Sequence, residues 1–493
     1  MPDLEVLRNG GYRDAGLAQF KLSCPLSSFP LEILELGDTL EHLDLSGTGL
    51  SSLPSNIGTA LPNLKTISLS HCNFKVFPKQ LASCPNLQTA VFRNNGMEYI
   101  PEDALPPRLR CIILTGNQLT AIPPSIGHCG ALEQCFLTNN QLQDLPTELA
   151  RCKRLTTLRV SSNRLSKFPL WLQALPELAY VSFSSNPCAA LLTNGAHAPR
   201  GLATIPWSDV EVQQAIDNDT FLGIWKQSPH YSEDVAIRLF RDSIASIGRD
   251  DGSAADEMAA YLAAGAHESL VTILGRIHGH PDEDTFTDEP GSYEGGLVLQ
   301  RIPDGYAPLS SVLSFDNALV SSPAVGPENG QFDTKTVLQM LAGLAHALSH
   351  LHARGIAHGS LRLDTIFASA ADAHALLAGF RGATLYAGLR RARVVGQGAE
   401  SPGRDGGQIG EADVVEKVEV LAFGRVVQFL LRAVGDRGRE GFEEAVLHGT
   451  WDGFPFPCKP LERGGCCAAP IRSQHHTSRV VVSSRFSVPH GPS

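Results

Sequence analysis

A chain of 493 residues, 43% of them apolar and 18% charged, has the material for about three packed domains of ~150 residues each. Its formal net charge of -11 excludes a nucleic acid or an anionic membrane surface as the expected main partner. No apolar run approaches ~18 residues, and the opening Met-Pro-Asp-Leu-Glu-Val-Leu lacks the basic and apolar regions of a signal peptide. A soluble, cytoplasmic protein without a membrane span is therefore expected, its 11 cysteines reduced.

Residues 1–16 read as an N-terminal cap. Beyond them the sequence repeats: Leu/Ile/Phe-Pro dipeptides end at Pro30, Pro54, Pro78, Pro101, Pro123, Pro146 and Pro169, a period of about 23 residues. One full unit runs Leu109, Ile112, Leu114, Asn117, Leu119, Ile122, Pro123; the next runs Leu132, Cys135, Leu137, Asn140, Leu142, Leu145, Pro146. The L-x-L core predicts a short strand with its apolar side inward. The position filled by Thr48, Cys72, Asn95, Asn117, Asn140, Asn163 and Asn186 predicts a stacked side-chain ladder bonded to turn backbone. Cys72, Cys84, Cys111, Cys129, Cys135 and Cys152 fall at repeat positions, as small buried hydrophobes would.

The pattern resembles the leucine-rich repeats, which implies an α/β solenoid of seven or eight units over residues 17–188. The intervening strand positions, among them Glu41, Asp44, Lys65, Arg110, Glu133, Thr157, Arg159, Tyr180 and Ser182, would form its concave face. Their mixed charge suits a protein ligand there.

Periodicity stops at residues 189–206, which read as a linker. From Trp207 the expected order is a strand at Val210–Gln213, a loop carrying Asp217 and Asp219, the strand motif Val235-Ala-Ile-Arg238, a helix from about Ala254 with Glu257, and a strand Gly296–Ile302 before a hinge at Pro303, Asp304 and Gly305. The stretch Pro281–Glu294 reads as an acidic insertion. Val337, Leu341, Leu344, Leu348 and Leu351 recur at steps of three and four, which predicts an amphipathic helix. It leads to His358-Gly-Ser-Leu-Arg-Leu-Asp-Thr-Ile366, two β-type snippets at Ile366–Ala368 and His374–Ala378, and Gly379-Phe-Arg381. After a Gly-rich stretch, Glu419-Val-Leu-Ala-Phe-Gly424 reads as the start of a helix. A short helix is expected at Arg439–Leu447, and Cys458–Ser493 reads as a tail without packed structure.

This second half resembles the protein kinases. The whole chain resembles the intracellular leucine-rich-repeat protein kinases, and the resemblance implies a two-lobed α+β domain over 207–450, small lobe to about 305, truncated at its C-terminal end before a tail at 451–493. In that frame His358 matches the motif histidine, Ser360 the catalytic aspartate, Thr365 the metal-binding asparagine, and Gly379, Phe380 and Arg381 the Asp-Phe-Gly triplet. Arg238 matches the phosphate-pairing lysine and Glu257 its helix partner, while Glu419 matches the aspartate that ties the catalytic loop.

Phosphoryl transfer needs a carboxylate base and oxygen ligands for magnesium. Ser360 cannot act as that base, Gly379 has no side chain to ligate anything and the Thr365 hydroxyl is a poor substitute for an amide oxygen, so no metal site and no cofactor is expected. The leading expectation is a pseudokinase scaffold or signalling regulator. The alternatives are a serine/threonine kinase using ATP and magnesium through migrated groups such as Asp364 or Asp234, and a nucleotide-binding switch resting on Arg238 and Glu257.

Overall fold

The computed structural model describes residues 2–12, 15–190, 202–217, 219–241, 253–279, 293–312, 334–386 and 411–433. Most of the acidic insertion, the expected helix at Arg439–Leu447, the tail and most of the Gly-rich stretch after Arg381 lie outside them.

A short helix α1 (Pro2–Arg8) precedes eight three-residue strands: β1 (Gln19–Lys21), β2 (His42–Asp44), β3 (Thr66–Ser68), β4 (Thr89–Val91), β5 (Cys111–Ile113), β6 (Gln134–Phe136), β7 (Thr157–Arg159) and β8 (Tyr180–Ser182). They pair in parallel in chain order into one eight-stranded sheet. Each middle residue points inward because successive strand side chains alternate between faces. Tight 3-10 turns back five of the repeats, each starting directly after a proline, as at Pro123 and Pro146.

The ladder forms at the predicted positions. Asn140 donates to the carbonyls of Leu114 at 3.0 Å and Leu137 at 2.9 Å and accepts from the Leu119 amide at 3.1 Å. Asn163 and Asn186 repeat this arrangement one and two units on. Earlier, Thr48 and Cys72 reach only the Leu45 carbonyl and each other. The residue before each ladder position (Gly47, His71, Asn94, Gly116, Asn139, Ser162, Ser185) takes a φ between 51° and 75°. Glycine enters that region freely and Asn and His more readily than most other residues, which accounts for much of the composition of these turns. Burial pushes the Cys84 and Cys152 thiols up to about 11 and Cys129 to about 12, so they are packing residues rather than nucleophiles.

A solenoid exposes raw core at each end and needs caps. Leu4 and Leu7 of α1 enter the repeat core at one end. At the other, the cap is supplied by residues far along the chain: Ala357, Tyr386, Ala412, Val414, Val415 and Val418 belong to the same buried cluster.

Those residues come from a second unit. Its sheet has the order β10 (Val210–Ala215), β11 (Thr220–Ser228), β12 (Tyr231–Arg241), β14 (Tyr293–Gln300), β13 (Ile273–His278), β9 (Ala203–Pro206). All neighbours are antiparallel except β9, which joins β13 in parallel from within the stretch read as linker. Helix α2 (Ala254–Ala264) is capped by Ser253, whose hydroxyl accepts from the Asp256 amide at 3.1 Å. Helix α3 (Thr334–Ala353) buries Val337, Leu341, Leu344, Leu348 and Leu351, the predicted stripe. Before it, β15 (Ala307–Pro308) pairs with β17 (Ile366–Ser369); after it come β16 (Ile356–Ala357), the hairpin of β17 and β18 (His374–Leu377), then β19 (Thr384–Leu385), which pairs with β16.

Helix α4 (Glu411–Ala433) departs from expectation. Glu419 was expected to open it and instead lies in its middle. Val414, Val415 and Val418 explain the earlier start: they gain burial in the repeat core only if the helix begins two turns upstream.

Candidate functional site

The loop from His358 to Thr365 and the turn from Gly379 to Gly382 lie side by side against strands β7 and β8. Arg159, 2% exposed, donates from one terminal nitrogen to the Gly359 carbonyl at 2.8 Å and from the other to Ser360 Oγ at 3.0 Å. Two glycines make this approach possible. A Cβ on Gly359, at φ +68°, would meet the Gly382 carbonyl oxygen at 2.1 Å and that of Val181 at 3.0 Å; one on Gly382 would meet Ser360 Oγ at 2.3 Å. The Phe183 amide donates to Thr384 Oγ1 at 3.4 Å and Lys417 to the Gln173 carbonyl at 3.0 Å, extending the junction on both sides.

This contact corrects one expectation. Thr157, Arg159 and Ser182 were placed on a ligand-facing concave surface, yet all three are buried because the second unit covers the last two strands. Strands β2 to β6 keep half-exposed outward positions, including the pairs Lys65–Glu41 at 2.6 Å and Arg110–Glu133 at 2.8 Å. No signal in the repeat pattern marks Arg159 as different, since its partners lie 200 and 201 positions away.

Beneath the loop, Glu419 is buried and takes two donors: the Gly359 amide at 2.6 Å and His352 Nε2 at 2.7 Å. Burial raises its carboxyl, but the hydrogen bond and charge of His352, with the Gly359 amide, outweigh that and hold it below the usual carboxylate value. His358 is fully buried, donates from Nε2 to the Ala378 carbonyl at 3.2 Å, and stacks edge-on to Phe380 at 5.2 Å between centroids. Burial pushes its imidazole down, so it is a neutral packing group at pH 7.

The chemistry available at this loop is slight. Thr365 Oγ1 lies 2.9 Å from the carbonyls of both Ser360 and Arg362 and accepts from the Arg362 amide at 3.1 Å, so its hydroxyl is spent within its own turn. Gly379 sits at φ +77°, and a Cβ there would lie 3.3 Å from Thr365 Cγ2. Asp364 is held by Arg362 through two bonds of 3.0 and 2.7 Å, and Asp234 by Arg301 at 2.7 Å, both at the surface. Among the described residues no group of three or more His, Cys, Asp or Glu could hold a metal ion. In the kinase-like frame that the resemblance implies, the residues present do not fit magnesium and ATP, because the positions that would need carboxylate and amide oxygens would carry a serine, a threonine and a glycine.

A second cluster faces it from the sheet. Arg238 on β12, 3% exposed, pairs with Glu257 of α2 through two bonds of 3.0 Å each, and donates to Thr220 Oγ1 at 2.8 Å. Asp217 and Asp219, in the loop between β10 and β11, lie 3.5 and 3.7 Å from the same guanidinium. Arg381 approaches these aspartates from the turn after β18, at 3.2 and 3.6 Å. The expected Arg238–Glu257 pair is thus present, and Arg381, which the sequence marks only as the last residue of the Gly-Phe-Arg triplet, joins the two aspartates.

Comparison with known proteins bears on the repeats. A family model described as Leucine Rich Repeat matches residues 39–60 and 63–84. The chain is 28% identical over 123 residues to the volume-regulated anion channel subunit LRRC8A of Homo sapiens, covering 24% of this chain and 15% of that protein. It is 32% identical over 115 residues to receptor-like protein 39 of Arabidopsis thaliana, covering 22% and 13%. A solved leucine-rich-repeat protein of Leptospira interrogans is 26% identical, covering 33% of this chain and 53% of that one, with a TM-score of 0.23. The chain therefore spans only 15% and 13% of these curated relatives. No helix among the described residues is long and apolar enough to cross a membrane. With the parallel sheet and the Asn ladder, the matched segments establish that the chain contains leucine-rich repeats.

Proposed function

We propose that the chain is a leucine-rich-repeat recognition domain fused to a protein-kinase-like unit without catalytic groups, acting as a protein-binding scaffold or signalling regulator. The kinase-like part of this reading is supported by element order: strand, acidic loop, strand, Arg238 strand, Glu257 helix and two further strands, then α3, a loop, a hairpin and Gly-Phe. The half-exposed outward positions of β2 to β6 are the surface offered to a protein ligand.

One observation carries the non-catalytic reading. The position that would hold the catalytic base is Ser360, and its hydroxyl accepts a buried hydrogen bond from Arg159 of the repeats. A substrate hydroxyl would have to displace a strand of the chain's own solenoid to reach it, and would find no carboxylate there.

Thermal unfolding of the full chain with ATP, alone and with magnesium, tests this. A ligand that binds only the folded form raises the melting midpoint, so an unchanged midpoint is expected. A rise of roughly 2 °C or more would favour a nucleotide-binding switch instead. Transfer of labelled phosphate that disappears in Asp364→Ala would restore an active kinase.

A further inference from the structure

Three histidines outside the loop, His267, His350 and His374, are grouped about the connector from α2 to β13. The rings of His267, on the connector, and His350, on α3, lie 4.9 Å apart between centroids. His267 Nδ1 accepts from the Ser269 amide at 3.1 Å. His350 Nε2 lies 2.8 Å from the Ala264 carbonyl, and its Nδ1 lies 3.1 Å from a terminal nitrogen of Arg354. A carbonyl can only accept, and an amide or guanidinium can only donate, so both rings are fixed as the neutral tautomer with its hydrogen on Nε2. Protonation places a second hydrogen on Nδ1, where each ring already faces a donor.

The group that His267 holds is in the interior. Ser269 is fully buried, its carbonyl accepts from the Leu377 amide of β18 at 2.9 Å, and its hydroxyl lies 3.3 Å from His374 Nε2. On its other side His374 Nδ1 lies 3.0 Å from the Tyr306 hydroxyl. Hydroxyls can reverse their role, so His374 keeps both bonds when charged. His267 cannot, because the buried Ser269 amide would lose its acceptor. A Cβ on Gly343 of α3 would meet the Ser269 hydroxyl oxygen at 2.7 Å, so connector and helix are in close contact. Burial and His350 hold the His267 imidazole below the usual histidine value; His346 and Arg354 of α3 push the same way, against the pull of Glu268 on the connector.

We propose that His267 and His350 form an acid-sensitive latch, which fastens the α2–β13 connector between α3 and β18 and releases it on protonation. His267 binds fewer protons latched than released, so the latch holds above its ordinary value of 6.5 and opens as pH falls through the latched value. Release frees the C-terminal end of α2, while its N-terminal end stays tied through Asp256 to Ser185 of the last repeat. The latch goes beyond the scaffold reading, which would survive its failure.

Amide exchange of the full chain at pH 7 and pH 5.5, each corrected for the intrinsic rate at that pH, tests the latch. Protection of the Ser269 and Leu377 amides should fall by about tenfold between the two. His267→Asn offers the Ser269 amide an oxygen that does not titrate, and His350→Gln can still donate to Ala264; the double variant should limit the fall to about twofold. The Gly359 amide, bound to Glu419, reports the junction with the repeats and should respond to acid alike in both proteins. Ser269 protection that is unchanged in the native chain, or that falls equally in a folded double variant, would overturn the latch.

Should the double variant fail to fold, Arg354→Met decides, since Arg354 is exposed. Loss of its charge should move the pH at which Ser269 protection falls upward by about half a unit. An unmoved or lowered pH would rule the latch out.

Discussion

Arg159, on the seventh strand of the repeats, reaches across to Ser360 in the loop after α3, its guanidinium 3.0 Å from the serine oxygen and 2.8 Å from the carbonyl of Gly359. Neither residue is informative alone. The pair makes solenoid and second unit into one packed body, and the first prediction follows from it. Arg159→Ala strands a buried carbonyl and hydroxyl without a donor and should cost about 2–4 kcal/mol in urea unfolding. Arg159→Lys, with charge but no two-pronged head, should fall between the alanine variant and the native chain. A loss below about 0.5 kcal/mol for Arg159→Ala would show that the junction does not depend on this contact.

The two glycines facing Arg159 give a steric prediction. Gly359→Ala combines a left-handed φ with a Cβ 2.1 Å from a carbonyl oxygen, and backbone cannot yield as a side chain can. A loss of about 2–4 kcal/mol is expected, with Tyr386 and α4 losing protection together with the loop. Gly424→Ala in α4 is the control. Its Cβ meets nothing within 4 Å, so it should be neutral or stabilise by up to about 1 kcal/mol.

Acid should loosen the same junction. The His358 imidazole, driven down by burial, binds fewer protons folded than unfolded. Its contribution is therefore complete above its ordinary value of 6.5 and is lost as pH falls through the folded value. Glu419, held below its ordinary 4.5, contributes above that pH and loses its share on further acidification. Both signs agree, so stability should fall between pH 7 and 5.5 and fall again toward pH 4. His358→Gln, which can still donate to Ala378, should flatten the first step. Unfolding midpoints unchanged from pH 7 to 5.5 in the native chain would contradict this.

Arg238 and Glu257 offer a double-mutant cycle. Glu257→Gln leaves a buried guanidinium without its bidentate partner and should cost about 3–5 kcal/mol, as should Arg238→Met. The pair Arg238→Met with Glu257→Leu should cost less than the sum, because neither charge is then left alone. Strict additivity in the unfolding free energies would mean the two do not act as a unit.

The repeats were legible because their physics is local and periodic. The L-x-L strand, the ladder Asn and the proline before each tight turn lie within one unit, so Asn117 and Asn140 announce the same bonds twice. The α3 stripe was legible for a similar reason, as was the pairing of Arg238 with Glu257. What escaped depends on long-range packing: the burial of Arg159 and Ser182, the parallel strand β9 within the supposed linker, and the reach of Arg381 to Asp217. The start of α4 escaped because Val414, Val415 and Val418 read as ordinary apolar residues until a solenoid end is placed against them.

That capping has a practical side. A fragment cut after residue 190 would lose Ala357, Tyr386, Val414, Val415 and Val418 and lay bare Phe168, Val181 and Phe183, a greasy stump where the intact chain has an interior. Such a fragment would stick to many things, so binding partners are better sought with the whole polypeptide as bait.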